Sequence, residues 1–108
     1  MRCPKKHVFV CVNNRSDISR KSCGKIGLSI RTELVRYVHE NGLDEDVRIN
    51  KSGCLNACEL GPTLVIYPSK IWYKKVQIDN VEEIIEKSIK NDLSIDSLAI
   101  NEKDWEKI

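Results

Sequence analysis

Five cysteines stand in this chain of 108 residues, at Cys3, Cys11, Cys23, Cys54 and Cys58. No other feature constrains the chain as much. Cysteines accumulate as disulfides in oxidising compartments, or as metal ligands and redox groups in reducing ones. Arg2, Lys5 and Lys6 precede an apolar run at residues 8–12, in the manner of a secretion signal. That run has only five residues, ends at Asn13-Asn14 and lacks a small-residue cleavage site. A cytoplasmic protein is therefore expected, and with it metal or redox chemistry in place of a disulfide scaffold.

Hydrophobic residues at 41% and charged residues at 31% fit one globular domain. No apolar stretch approaches the roughly 20 residues needed to cross a bilayer. A net charge of +2 is too small to point to nucleic acid. The order of elements narrows the fold. Residues 8–12 lack alternation, as a strand buried on both faces does. Ile26, Ile30, Leu34, Tyr37 and Val38 recur at helical spacing, and Asn41-Gly42 supplies the stop. Val47 and Ile49 alternate with Arg48 and Asn50 in a half-buried second strand. Residues 64–67 and 71–76 form two more strands around a Pro68-Ser69-Lys70 turn. Asp79 is expected to cap a last helix with Glu82 and Glu83 in its first turn. Val81, Ile84, Ile85 and Ile89 are that helix's buried stripe.

The order β-α-β-β-β-α predicts an α/β (α+β) fold of thioredoxin-like arrangement. It has a mixed four-stranded sheet, two main helices and a parallel first strand pair. This domain is expected over residues 1–90. Residues 91–108 carry five acids against two bases, with Leu93, Ile95, Leu98, Ile100 and Trp105 scattered among them. They read as an acidic tail, either a polar appendage or a partly docked arm.

In this order Cys11 ends the first strand, Cys23 follows a polar basic loop, and Cys54 and Cys58 follow the second strand. All four can lie at one end of the sheet, where thiolates from three loops can hold a metal centre. Structural zinc usually takes tight paired ligands of the C-x2–4-C kind. Only Cys54 and Cys58 are tight here, whereas eleven residues separate Cys11 from Cys23. A 2Fe–2S rhomb is larger than one ion and accepts ligands from distant segments, which favours an iron–sulfur centre. The spacing excludes the plant-type ferredoxin pattern.

The run HVFVCVNNR, then SCG, then GCLNACELGPTLVIYP and IWYKKV, resembles the thioredoxin-like 2Fe–2S ferredoxins of bacteria. The resemblance covers roughly residues 7–90 and leaves the tail outside. It implies a small electron carrier, usually a homodimer, with one cluster per chain near the surface. Carried over residue by residue, it implies Cys11, Cys23, Cys54 and Cys58 as ligands. Asn13, Arg15, Ser22 and Gly24 match the flanks of the motif.

Other residues have plainer readings. Cys3 lies outside the motif and reads as incidental. His7 and His39 could bind iron as in Rieske centres, but packing or surface roles suit their places better. Trp72 and Tyr73 adjoin in a strand, so one should face the core and one outward, and an outward Trp72 would suit a dimer surface. Gly53 and Gly61 flank the cysteine loop, where glycine permits close backbone approach. Gly27 reads as a tolerated helix residue.

Three rivals to a one-electron carrier stand beside it. A dithiol–disulfide enzyme on this fold would need a C-x-x-C, and the chain has none. The others are a zinc-bound interaction module and an accessory cluster subunit of a larger oxidoreductase. The residues before Ile26 hold seven bases against Asp17, a region that partly offsets a four-thiolate cluster's charge of −2 and should raise its potential. Arg15, Arg20, Lys21 and Lys25 beside the cluster predict redox partners with an acidic docking face.

Overall fold

Val8, Phe9 and Val10 suit a pleated surface, and they form the body of β1 (Lys6–Cys11). The computed structural model describes residues 3–12, 24–53 and 61–106. Helix α1 (Gly24–Glu40) turns Ile30, Leu34 and Val38, one turn apart, into the core. It closes in a Schellman motif with Gly42 at φ 67. The Gly42 amide donates to the His39 carbonyl at 3.1 Å and that of Leu43 to the Val38 carbonyl at 2.9 Å. Then come β2 (Val47–Ser52), β3 (Leu64–Tyr67) and β4 (Ile71–Tyr73).

The sheet order is β2-β1-β3-β4. β1 and β2 are parallel, with Lys6 opposite Val47 and Cys11 opposite Ser52. β3 runs antiparallel to β1 and forms a hairpin with β4. This is the mixed four-stranded sheet that the sequence predicts. Alternation sends Val8, Val10, Val47, Ile49, Leu64, Ile66 and Tyr73 to one face. There they pack on Ile30, Leu34 and Val38 of α1 and on Val81, Ile84, Ile85 and Ile89 of the second helical segment.

Several expectations need correction. β1 is not fully buried on both faces: His7 and Phe9, opposite the core side, are half-buried. His7 stacks on Phe9 with centroids 4.9 Å apart, and Phe9 meets Tyr67 edge-on at 6.3 Å. β4 stops at Tyr73 rather than 76, because the chain leaves the strand through Lys75, which takes φ 48. Asp79 is not the cap of the second helical segment. That segment starts as a 3₁₀ turn, Ile78–Asn80, in which the Asn80 side chain accepts the Gln77 amide at 2.8 Å. It continues as α2 (Val81–Glu83) and widens into a π-helical stretch, Ile84–Ile89, where the Lys90 amide reaches back to the Ile85 carbonyl.

Of the two readings of the tail, the docked arm is the observed one. Ile95 and Leu98 join the core. Ala99 bridges Tyr73, the Lys74 amide donates to the Leu98 carbonyl at 2.8 Å, and the Ile100 amide donates to the Trp72 carbonyl at 3.0 Å. The tail thus pairs with the outer edge of β4. Tyr73 is the core member of its aromatic pair. Trp72 is only half-buried, and Trp105 of α3 (Glu102–Glu106) meets it edge-on at 5.2 Å. Part of the surface expected to await a second copy is therefore covered by the chain itself.

Candidate metal centre

Cys11 is the last residue of β1 and is 1% exposed. Its amide donates to the Thr63 carbonyl at 3.2 Å, and the next amide, Val12, donates to the Ser52 carbonyl at 3.0 Å. The ends of β1 and β2 and the start of β3 therefore meet around this thiol. Residues 13–23 link Val12 to Gly24, and residues 54–60 link Gly53 to Gly61, so both cysteine-bearing segments leave from and return to this end of the sheet. The Gly61–Pro62 peptide is cis, and the Pro62 carbonyl accepts the Val76 amide at 3.0 Å.

Helix α1 carries the chain from the end of β1 back to the start of β2, so its N-terminus lies at the cysteine end. A helix N-terminus carries about half a positive charge, and no acid in the first turn opposes it here. Lys25 in that turn adds a full charge. The electrostatics at this end favour an anionic group.

Of the predicted ligands, Cys11 is at the site, and Cys23, Cys54 and Cys58 lie outside the described residues. So do Asn13, Arg15, Arg20, Lys21 and Ser22. Among the described residues, no group of three or more His, Cys, Asp or Glu is placed to hold a metal ion. Cys3 is exposed and precedes β1, whose six residues carry the chain about 17 Å to Cys11. It belongs to the opposite end of the sheet. His7 packs on Phe9, while exposed His39 faces Asp44 at 3.1 Å. A Cβ on Gly53 would meet nothing within 4 Å, so the space beside it is open. A buried thiol, an open flank, a helix N-terminus and thiol donors on the adjoining segments fit a thiolate-bound iron–sulfur group. Thr63, immediately before β3, is 2% exposed and lies opposite Cys11.

No family model matches the chain. Curated relatives do. It is 34% identical over 99 residues to a 2Fe–2S ferredoxin of Clostridium pasteurianum, covering 90% of this chain and 97% of that one. It is likewise 34% identical over 99 residues to a 2Fe–2S ferredoxin of Aquifex aeolicus, covering 89% of each. The crystal structure of the wild-type thioredoxin-like 2Fe–2S ferredoxin from Aquifex aeolicus superposes with a TM-score of 0.83 at 32% identity, covering 93% of this chain and all of that one. The chain belongs to the thioredoxin-like 2Fe–2S ferredoxin family. A match spanning 93% of 108 residues cannot end at residue 90, so the likeness extends into the tail. The tail's exclusion from the resemblance is thereby corrected.

Proposed function

We propose that Cys11, Cys23, Cys54 and Cys58 hold one 2Fe–2S cluster at this end of the sheet, and that the protein is a one-electron carrier. The bound cluster takes up and releases one electron at a time. The chain's own part is to supply the thiolates, bury Cys11 and set the surrounding charge. The observation that carries the reading is the buried Cys11 thiol at the point where both remaining cysteine-bearing segments are anchored. The α1 N-terminus and Lys25 stabilise negative charge there and favour the reduced state. The role is transfer rather than catalysis, in keeping with the lack of a C-x-x-C.

The same reading extends to assembly, partners and location. Half-buried His7 and Phe9 with exposed Tyr67 form an aromatic face away from the helices, which supports a homodimer that leaves the cysteine end accessible. The basic residues near Cys23 support redox partners with acidic docking faces. No described helix is long and apolar enough to cross a membrane. Five cysteines together with an iron–sulfur site suit a reducing compartment, the cytoplasm.

Anaerobic purification tests the assignment. The expected protein is reddish brown, holds two irons and two acid-labile sulfides per chain, bleaches partly with dithionite and then gives an EPR signal. Cys54→Ala or Cys58→Ala should abolish the cluster or leave it labile, and Cys3→Ala should leave the spectrum intact. A colourless protein that binds zinc stoichiometrically after iron reconstitution fails would overturn it.

A further inference from the structure

Arg31 stands in α1 between Ile30 and Leu34, both fully buried. It is half-buried, and its Nε is out of water with no hydrogen-bond partner among the described residues. Its own helix does not balance its charge. The two acids of α1, Glu33 and Glu40, both pair with Arg36, at 2.7 and 2.9 Å. Glu33 also shares a groove with Ile78, so that flank of α1 faces the second helical segment. Two residues turn a helix by about 200°, which puts Arg31 on the other flank, toward β2. β2 sends Val47 and Ile49 to the core under α1, and the next residue on that face is Lys51, a second cation.

A long side chain on a helix lies over the turn that precedes its own Cα. For Arg31 that turn holds Gly27, which is buried and has no side chain to stand in the way. Gly27 is less than one turn from Gly24, where α1 begins at the cysteine end. Taking part of a guanidinium out of water without an acceptor or an anion is costly, and a buried donor left alone calls for the group that completes it. We propose that Arg31 is the internal counter-charge of the metal centre: the anionic thiolate-bound group compensates the guanidinium, which in turn raises the reduction potential. The direction follows from charge. Reduction adds an electron to an already anionic group, so a fixed cation stabilises the reduced state more than the oxidised one. The inference rests on the cluster being held at the cysteine end of α1.

The experiment compares Arg31→Gln and Arg31→Lys with the loaded parent protein and takes Arg36→Gln as the control for charge alone. It reads the visible spectrum, iron and sulfide content, thermal stability and reduction potential. Arg31→Gln should fold, carry its cluster and shift the redox equilibrium about three- to tenfold toward the oxidised form. For one electron, tenfold corresponds to about 59 mV. The shift should persist in about 1 M salt, where the Debye length falls to about 3 Å and exposed charges are screened. Arg31→Lys keeps the charge, and Arg36→Gln removes an exposed and balanced one, so both should stay within about twofold of the parent. A potential unchanged in Arg31→Gln overturns the proposal. So does a shift that vanishes at high salt or recurs in Arg36→Gln, which would leave only general surface charge. An equal shift in Arg31→Lys overturns it as well, by assigning the effect to packing. Should Arg31→Gln fold without a cluster, retention of the cluster in Arg31→Lys supports the counter-charge, and its loss there too overturns it. A parent protein without a cluster would sink the ligand assignment itself, whereas a loaded parent with indifferent variants would sink only the role of Arg31.

Discussion

Gly42 shows how one backbone angle ends a helix and starts a strand. At φ 67 it supplies the left-handed turn through which Leu43 donates back to Val38, and that turn aims the chain at Val47. A Cβ there would touch nothing within 4 Å, so the cost of Gly42→Ala is conformational alone. It should destabilise by about 1–2 kcal/mol. In a domain of this size each kcal/mol lowers Tm by roughly 4–8 °C, which thermal denaturation would register. Lys75, at φ 48, is the converse case. Relief of its left-handed strain in Lys75→Gly outweighs glycine's added unfolded-state entropy, so a rise in stability of under about 1 kcal/mol is expected. A loss of stability in denaturant titration would refute that. The Gly42 stop was legible as Asn41-Gly42, a pattern with a local cause. Lys75 carried no such mark, because its angle is imposed by the tail pairing with β4 on one side and Val76 entering the core on the other.

The tail is held by polar groups that only the folded chain brings together. The Ile95 amide donates to the Tyr73 hydroxyl at 2.9 Å, and the Ser88 hydroxyl donates to the Leu93 carbonyl at 2.8 Å. Since the Ser88 proton is committed to Leu93, the close Tyr73–Ser88 contact must be donated by Tyr73. All three elements, β4, the π-helical stretch and the tail, are locked by this buried chain of donors. Further out, Asn101 and Asp104 cap α3 reciprocally, and the Asp104 carboxylate pairs with Lys74. Tyr73→Phe would leave the buried Ile95 amide without its acceptor, at about 1–3 kcal/mol. The tail should then become the first site of limited proteolysis, detected as cleavage within residues 91–106 at protease levels that spare the parent protein. Cleavage patterns identical in the two proteins would show that the tail is held by its apolar residues alone.

At the scale of the molecule the sheet has two unlike faces and two unlike ends. One face is closed by helices and the other presents His7, Phe9 and Tyr67. Light scattering should give twice the 12.4 kDa chain mass at micromolar concentration, and Tyr67→Asp, placing a charge on that face, should shift it toward one chain. A parent mass of one chain throughout would end the homodimer reading. At the cysteine end the α1 N-terminus and Lys25 supply positive charge, and long-range charge sets encounter rates more reliably than affinity. Electron transfer to an acidic partner should slow as salt shortens the Debye length from about 30 Å at 0.01 M to 10 Å at 0.1 M. Arg20→Glu with Lys21→Glu, its cluster intact, should be slower at low salt and converge on the parent at high salt. A rate indifferent to the reversal at every ionic strength would leave these bases only the role of balancing the cluster's charge.

Element order, strand pairing and the ligand candidates were legible in the chain alone. They are written in local patterns: a period of 3.6 through Ile30, Leu34 and Val38, alternation through Val47 and Ile49, and thiols at spacings that suit an iron–sulfur centre. What only the tertiary structure decided depends on residues far apart in sequence. The acidic tail read equally as an appendage or a docked arm, because its apolar residues have no period of their own. It docks because Ile95, Leu98 and Ala99 complete the core and the edge of β4. Trp72 looked like a free surface until Trp105, from the far end of the chain, came to lie against it. The place of Thr63 opposite Cys11 was likewise not legible, since it comes from pairing two strands separated by more than forty residues, and no local pattern encodes register across that gap.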